Sequence, residues 1–293
     1  MTTSRRGPVN TLYRDPAGLL DHDTPDTTPS PPATPSEADL PPSGTHPSSS
    51  SAAAPGKEFY PHQRKSLAGI ALRALCLGAG LLAGLLGTAL LLALTSSPLW
   101  RLPFFLAALS LFHFLEFWTT AAYNTPQATV HSFLLTANWP AYAIAHAVAF
   151  AECFLTNVLF RDAVWAPFGL RPAILAAGLL LVLVGQSVRS LAMVTAGESF
   201  NHTVQHYKAE SHALVTSGIY AWFRHPSYFG FFWWAIGTQL VMGNVVSFFG
   251  YAGVLWYFFS QRIRHEEELL IRFFGDDYIA YRKSVGVKIP FCG

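Results

Sequence analysis

The sequence predicts an all-α, polytopic membrane protein with about six transmembrane helices. Hydrophobic residues make up 51% of its 293 residues and charged residues only 12%. Apolar segments of membrane-spanning length recur along the chain, longer than the core of a soluble domain requires. The net charge of +2 is small and scattered, and no basic stripe is interleaved with aromatic residues, so nucleic acid is not an expected partner.

Residues 1–55 differ in composition from the rest and are predicted to form a disordered tail. They hold roughly half of the prolines together with many Ser, Thr and Asp residues and few aromatic ones. Such a segment cannot bury enough apolar surface to offset its conformational entropy. Arg5 and Arg6 are not followed by an apolar core, so no secretory signal is predicted. Residues 56–293 are expected to form one membrane-embedded domain.

Six apolar segments follow, at about 67–94, 102–122, 139–160, 172–195, 227–243 and 245–261. The last two are short and are separated only by Gly243 and Asn244, which predict a turn between two helices of a buried hairpin. Lys and Arg residues cluster before the first and fifth segments and after the sixth. By the positive-inside rule, both termini are predicted to be cytosolic.

The first segment contains four glycines that resemble a glycine-rich nucleotide loop only superficially: Gly78, Gly80, Gly84 and Gly87. A nucleotide loop lies between a strand and a helix, whereas these glycines interrupt a continuous apolar run. Small residues four apart favour close contact between membrane helices. Gly80 and Gly84 are therefore predicted to face another helix.

Three histidines after the fourth segment suggest a metal site, but the pattern is incomplete. His202 and His206 have the spacing of two ligands on a helix, with His212 nearby. No glutamate follows His202 as in a zinc protease, and no Cys or Asp completes a ligand set, so no metal is expected. His202 and His206 are interpreted as residues of a solvated loop.

His225 and Pro226 mark the start of the fifth apolar segment. Proline is favoured in the first turn of a helix, so a helix is predicted to begin at Pro226 with the free amides of Ser227 and Tyr228 at its cytosolic end. Such an end can bind an anion, including the carboxylate of an amino-acid-like cofactor. The alternative is that the Arg-His-Pro sequence only starts a helix. His212 precedes a turn at residues 214–218 and is expected to join the same site.

Charged residues after the sixth segment suggest the other wall of this site. Arg262 and Glu266 are four residues apart, hence on one helical face, and the hairpin would bring them opposite His225. The alternative is a solvated, salt-bridged helix end in which the arginine extends towards the aqueous phase. Arg189 within the fourth segment would cost about 2.5 to 3.5 kcal/mol at the bilayer centre, unless it serves an anion site.

Other polar residues within the predicted spans are expected to hydrogen-bond between helices. These residues are His113, Glu116, His146 and Glu152.

The chain resembles a known membrane enzyme family, most strongly from Arg189 onward. The segment HALVTSGIYAWFRHPSYFGFFWWAIGTQ is followed by an RxxxE pattern and by FGDDYIAYRKSV, and an NHxVQ motif precedes it. In this order the motifs are similar to those of isoprenylcysteine carboxyl methyltransferases. The resemblance covers about residues 60–291 and places the catalytic part at about residues 189–293.

The resemblance implies S-adenosylmethionine as cofactor and the prenylated C-terminal cysteine of CaaX-processed proteins as substrate. It also implies a multi-pass protein of the endoplasmic reticulum membrane, in contact with membrane lipid. Arg262 would bind the substrate carboxylate, with Arg189 as a second catalytic candidate. The implied cofactor contacts are Gln205, His212, Ala213, Leu214, Val215, Tyr220, His225, Pro226, Ser227, Tyr228 and Glu266. Ala213 stands where relatives often carry Thr.

The chemistry of this reaction agrees with the residues present. The nucleophile is an α-carboxylate with a pKa of about 3.5, which is ionised at neutral pH and needs no general base. A prenyl chain leaves the bilayer reluctantly, since each buried methylene contributes about 0.8 kcal/mol, so the site is expected to open to lipid.

Three alternatives remain at this point. A phospholipid N-methyltransferase would use the same cofactor, although an arginine beside an amine nucleophile would not help. An NADPH-dependent sterol reductase shares an Arg-His-Pro region but would need more basic residues for the 2′-phosphate. A transporter or scaffold would be expected to show inverted repeats or broken helices.

Overall fold

The computed structural model describes residues 56–159, 171–208 and 212–292, and within them every regular element is a helix. The α-helices are α1 (Leu67–Leu94), α2 (Arg101–Tyr123), α3 (Leu134–Ala137), α4 (Ala141–Leu159), α5 (Arg171–Ala196), α6 (Pro226–Met242), α7 (Val246–Phe274) and α8 (Asp276–Ser284). The predicted all-α class is confirmed. The predicted tail, residues 1–55, lies outside the described residues.

The described residues contain four helical segments that are long and apolar enough to cross a bilayer: Leu67–Leu94, Pro98–Tyr123, Ala141–Leu159 and Arg171–Ser199. Their leucine-rich faces are largely exposed in the isolated chain, as expected for contact with lipid. These segments indicate a multi-pass membrane protein. Helix α6 has 17 residues, fewer than the roughly 20 that usually span a bilayer, and the second half of the 29-residue α7 is charged. The count of six spans remains a prediction.

Helices α1 and α2 pack through the predicted glycine face. A Cβ atom added at Gly84 would lie 2.6 Å from both the backbone nitrogen of Ala107 and the carbonyl oxygen of Pro103, and one at Gly80 would lie 2.6 Å from Ser110 Oγ. Only glycine allows the backbones to approach this closely. The interpretation of Gly80 and Gly84 as packing residues is confirmed.

Helices α5 and α6 also pack closely through glycines, at two positions along their length. A Cβ atom at Gly178 would lie 3.0 Å from the carbonyl oxygen of Gly237, and one at Gly185 would lie 2.7 Å from that of Gly230. The contact is equally close when seen from α6, because a Cβ atom added at Gly230 would lie 2.6 Å from the backbone nitrogen of Arg189. This contact fixes Arg189 against the first turns of α6.

The turn between α6 and α7 lies where the sequence predicts it. Gly243 adopts a left-handed conformation with φ of 74° and ends α6, and its amide donates to the carbonyl oxygens of Gln239 and Leu240. Asn244 is buried, and its side-chain amide donates to the Ala149 carbonyl and to Gln239 Oε1, each at 2.9 Å. The turn is thereby attached to α4. Whether α6 and α7 form a membrane-crossing hairpin remains a prediction.

The polar residues within the spans mostly connect helices, as predicted. His146 Nδ1 lies 2.8 Å from Tyr251 Oη, which joins α4 to α7. The Glu152 carboxylate accepts bonds of 2.7 Å from the first amides of α7 and its N-cap. Glu116 binds Arg189 of α5. The prediction is wrong for His113, because neither of its buried ring nitrogens has a hydrogen-bond partner among the described residues.

Candidate cofactor and substrate site

A cavity opens where the start of α6 meets the charged second half of α7 and helix α8. All of the predicted cofactor residues except Gln205 line it: His212, Ala213, Leu214, Val215, Tyr220, His225, Pro226, Ser227, Tyr228 and Glu266. Gln205 lines a smaller adjoining cavity whose wall also includes His212 and Glu266. The structure thus brings the predicted set together around one continuous region.

Local chain conformation explains how the 212–221 segment reaches this cavity. Residues 212–216 run without regular structure along its wall. Gly218 then adopts φ of 59°, a left-handed conformation that suits glycine, and starts the short 3₁₀ turn Gly218–Ala221. This turn presents Tyr220 to the cavity.

Helix α6 begins at Pro226, as predicted, and its first turn faces the cavity. His225 is the N-cap residue, but its side chain makes no capping hydrogen bond. The His225 ring instead stacks on Tyr228, with centroids 5.5 Å apart, and its Nε2 lies 3.2 Å from Glu267 Oε1. The start of α6 therefore keeps the character of a helix end that can accept an anion.

Arg189 holds this helix start in place through hydrogen bonds to Ser227. Its Nε and one terminal nitrogen each lie 2.6 Å from an oxygen of Glu116, and the other terminal nitrogen donates to the carbonyl and Oγ of Ser227. Both charged side chains are almost completely buried. Because the guanidinium is committed to Glu116 and Ser227, these contacts favour a positioning role over the predicted direct contact with substrate.

Arg262 is connected to the cavity through Tyr228. Its Nε donates to Tyr228 Oη at 2.8 Å, and Tyr228 Oη donates to Glu266 Oε2 at 2.5 Å. A terminal nitrogen of Arg262 also donates to the carbonyl oxygen of His202. Arg262 is not part of the lining itself, so the predicted meeting of Arg262, Glu266 and His225 across one cavity runs through the Tyr228 hydroxyl.

The interpretation of His202 as a solvated loop residue is wrong. Only 16% of its side chain is exposed, its Nε2 lies 3.1 Å from Thr120 Oγ1, and its Nδ1 lies 3.6 Å from Glu116 Oε2. Burial lowers the pKa of His202 to about 4, and the nearby Arg189 and Arg262 lower it against the opposing effect of Glu116. The imidazole that docks on α2 is therefore neutral at pH 7. His206 is exposed, as predicted.

Several cavity residues were not predicted from the sequence. Most important are Arg224, which precedes His225, and Tyr278 and Tyr281 of α8. The two tyrosines are three residues apart and so lie on one helical face, which is the signal that could have revealed them. The remaining unpredicted lining residues are Ala196, Ser199, Phe200, Asn201, Leu270 and Phe274.

Glu267 forms ion pairs with Arg224 and with Arg282 of α8. It accepts a bond of 2.5 Å from Arg224 Nε and lies 3.3 Å from Arg282 Nε, while Arg224 also donates to the carbonyl oxygens of Arg282 and Val285. Burial raises the pKa of Glu267, but the hydrogen bond and charge of His225 and the charge of Arg224 outweigh it and lower the pKa to about 2. An ionised Glu267 thus holds α8 against the start of α6.

Comparison with known proteins identifies the family. The model of the "isoprenylcysteine carboxyl methyltransferase (ICMT) family" matches residues 178–272. Protein-S-isoprenylcysteine O-methyltransferase of Saccharomyces cerevisiae is 50% identical over 188 residues, which cover 64% of this chain and 78% of the yeast protein. The human enzyme of the same name is 40% identical over 222 residues, covering 76% of this chain and 74% of the human one.

A solved structure agrees with the sequence matches. The eukaryotic intramembrane Ras methyltransferase ICMT superposes with a TM-score of 0.67 at 35% identity, covering 80% of each chain. The family-model match includes α6 and most of α5 and α7, and the human and yeast relatives are matched over most of their own length. This chain therefore belongs to the isoprenylcysteine carboxyl methyltransferase family.

Proposed function

We propose that this protein transfers a methyl group from S-adenosylmethionine to the C-terminal α-carboxylate of prenylated cysteine in CaaX-processed proteins, which gives a methyl ester. The observation that carries the proposal is the cavity at the uncapped start of α6. It gathers nearly all the cofactor residues that the family resemblance implies, and Tyr228 connects it to Arg262.

The residues of the cavity are suited to a zwitterionic cofactor. The amides at the start of α6 provide donors for its carboxylate, and Glu266 provides an anion for its positive groups. Tyr220 and residues 212–215 form another part of the lining, and Gln205 extends the site into the adjoining cavity. S-adenosylmethionine, when bound, supplies the electrophilic methyl group.

Arg262 is the residue assigned to the substrate. Its guanidinium shares the Tyr228 hydroxyl with Glu266 and lies beside the rings of Tyr228 and Phe258. A guanidinium can hold a carboxylate by two parallel hydrogen bonds, which orients the oxygen that attacks. The α-carboxylate is ionised at neutral pH, so no general base is needed. Arg189 supports the reaction by holding Ser227 at the start of α6.

The membrane arrangement follows from the substrate. A prenyl group remains in the bilayer, so the site should open sideways to lipid. We infer that α6 and the first half of α7 complete six spans as a hairpin, that both termini are cytosolic, and that the protein resides in the endoplasmic reticulum membrane. The basic residues around the first, fifth and sixth segments support this orientation.

The proposal is tested by methyl transfer in membranes that contain the protein. Labelled S-adenosylmethionine is supplied with N-acetyl-farnesylcysteine, and base-labile methyl ester is measured. The matched control is the same analogue with its carboxylate converted to an amide, which should accept no label. Transfer to phosphatidylethanolamine instead, or no transfer to the free acid, would contradict the proposal.

A further inference from the structure

The two tyrosines of α8 lie at the same cavity but satisfy their hydroxyls differently. Tyr281 Oη donates to the carbonyl oxygen of Tyr220 at 2.7 Å. Tyr278 is only 1% exposed, and its hydroxyl has no hydrogen-bond partner among the described residues. A buried hydroxyl without a partner is unfavourable, and such a group in a folded protein calls for an explanation.

The charged groups near Tyr278 are already engaged with other partners. Arg224 is bonded to Glu267 and to the carbonyl oxygens of Arg282 and Val285. Glu267 also accepts from His225, while Glu266 accepts from Tyr228. No described side chain lies within hydrogen-bond distance of the Tyr278 hydroxyl.

The Tyr278 hydroxyl remains protonated and so is available as a donor. Burial raises its pKa, and the negative charge of Glu267 raises it further against the opposing effect of Arg224. Tyr278 also belongs to the cavity lining. An acceptor atom of a bound molecule can therefore supply the missing partner.

We propose that Tyr278 is a cofactor-binding residue whose buried hydroxyl donates a hydrogen bond to an acceptor atom of S-adenosylmethionine. The inference rests on the proposed function and adds to it a residue of α8 that is not among the cofactor contacts implied by the family resemblance. The hydroxyl has no partner among the described protein residues, and in the complex it gains one from the cofactor. Tyr281, by contrast, supports the fold in both states.

The two residues form a matched pair for the experiment. Full-length Tyr278→Phe, Tyr281→Phe and wild-type proteins are titrated with S-adenosylhomocysteine in detergent, and their unfolding temperatures are measured without ligand. Tyr278→Phe should weaken binding about 3- to 10-fold, the usual effect of one lost hydrogen bond, while its unliganded unfolding temperature stays the same or rises. Tyr281→Phe should lower the unliganded unfolding temperature, because the Tyr220 carbonyl loses its donor.

Kinetics give a second measurement of the same claim. Tyr278→Phe should raise the KM for S-adenosylmethionine with little change in kcat, since the bond is made equally in the ground and transition states. Wild-type affinity in Tyr278→Phe would overturn the inference, and so would a loss of unliganded stability or failure to fold, which would indicate a partner within the protein. If wild-type protein bound no S-adenosylhomocysteine, the proposed function itself would be contradicted.

Discussion

The α1–α2 and α5–α6 pairs both bring two helix backbones together through glycine, but their surroundings differ. At the α1–α2 contact, Gly84 faces the backbone of Pro103 and Ala107, and the rest of α1 is mostly exposed in the isolated chain. At the α5–α6 contact, Gly185 and Gly230 lie one turn from Arg189, which holds Ser227 at the cavity. The same packing device therefore serves stability in one pair and the geometry of the site in the other.

This difference predicts how each pair responds to change. The α1–α2 contact involves small residues whose loss affects only the fit of two helices. The α5–α6 contact is continuous with a buried ion pair and with the ionised Glu267, so changes there should alter both stability and ligand binding. Four experiments test the comparison, and they are described from the largest expected effect to the smallest.

The largest effect should come from breaking the buried ion pair beside the α5–α6 contact. Glu116→Ala leaves the Arg189 charge buried without its partner and should cost about 3 to 5 kcal/mol of stability. Ser110→Ala, at a buried position of α2 near Gly80, is the matched change on the α1–α2 side and should cost less than about 1 kcal/mol. Thermal unfolding in detergent measures both.

The ion pair also allows a check by double substitution. Glu116→Leu combined with Arg189→Met removes both charges, and buried pairs replaced by apolar residues often lose little stability. The double variant should be more stable than Glu116→Ala. Equal destabilisation in both would show that the charge of Arg189 is not the cause.

The pH dependence of stability should be the next largest effect. The pKa of Glu267 is lowered to about 2 in the folded protein, from 4.5 for an ordinary glutamate. Its contribution of about 3 kcal/mol is present in full above pH 4.5 and is lost as the pH falls towards 2. Unfolding measured from pH 7 down to pH 3 should show this decrease in wild type and a shallower one in Glu267→Gln.

The neighbouring glutamate provides the control for this titration. Glu268 is exposed on the same helix. Glu268→Gln should follow the wild-type acid profile. If the Glu267→Gln and wild-type profiles coincided, the loss of stability in acid would not be due to Glu267.

A moderate effect is expected from adding one methyl group at each glycine contact. Gly84→Ala and Gly185→Ala both place a Cβ atom within 2.6 Å of backbone atoms and should each cost about 1 to 3 kcal/mol. Only Gly185→Ala should also weaken S-adenosylhomocysteine binding, because the shift reaches Arg189 and Ser227. Titration of both variants decides this, and similar affinities would mean that the two glycine contacts are equivalent.

The smallest expected effect is no change at all. Asn201, His202 and Thr203 form a glycosylation sequon, and Asn201 lines both cavities. A cytosolic site is not accessible to the glycosylation machinery, so glycosidase treatment of protein from a eukaryotic host should leave its gel mobility unchanged. A mobility shift that disappears in Asn201→Gln would invert the orientation and with it the access of cytosolic cofactor.

The sequence predicts the parts of this structure that depend on local pattern. Gly80 and Gly84 are recognisable as a packing face from their spacing, and Pro226 marks a helix start because of its own backbone geometry. The family motifs identify the cofactor residues of the cavity wall as a set, although their roles remain predictions.

Tertiary partnerships were harder to predict. Arg189 and Glu116 are 73 residues apart, and Arg224 meets Glu267 across 43 residues. No periodicity connects such pairs, and the same carboxylates on a solvated helix would look identical in sequence. His202 was misjudged for the same reason, since its burial depends on its docking against Thr120 of α2.

The most direct test of the proposed function changes residues of α7 and measures cofactor binding and methyl transfer separately. Arg262→Ala should abolish methyl transfer to N-acetyl-farnesylcysteine and change S-adenosylhomocysteine affinity by less than about threefold, and Arg262→Lys should restore little activity because the planar fork is lost. Arg264→Ala, at an exposed position two residues away, is the matched control and should retain wild-type activity. Wild-type transfer rates in Arg262→Ala and Arg262→Lys would contradict the assignment of Arg262 to the substrate carboxylate.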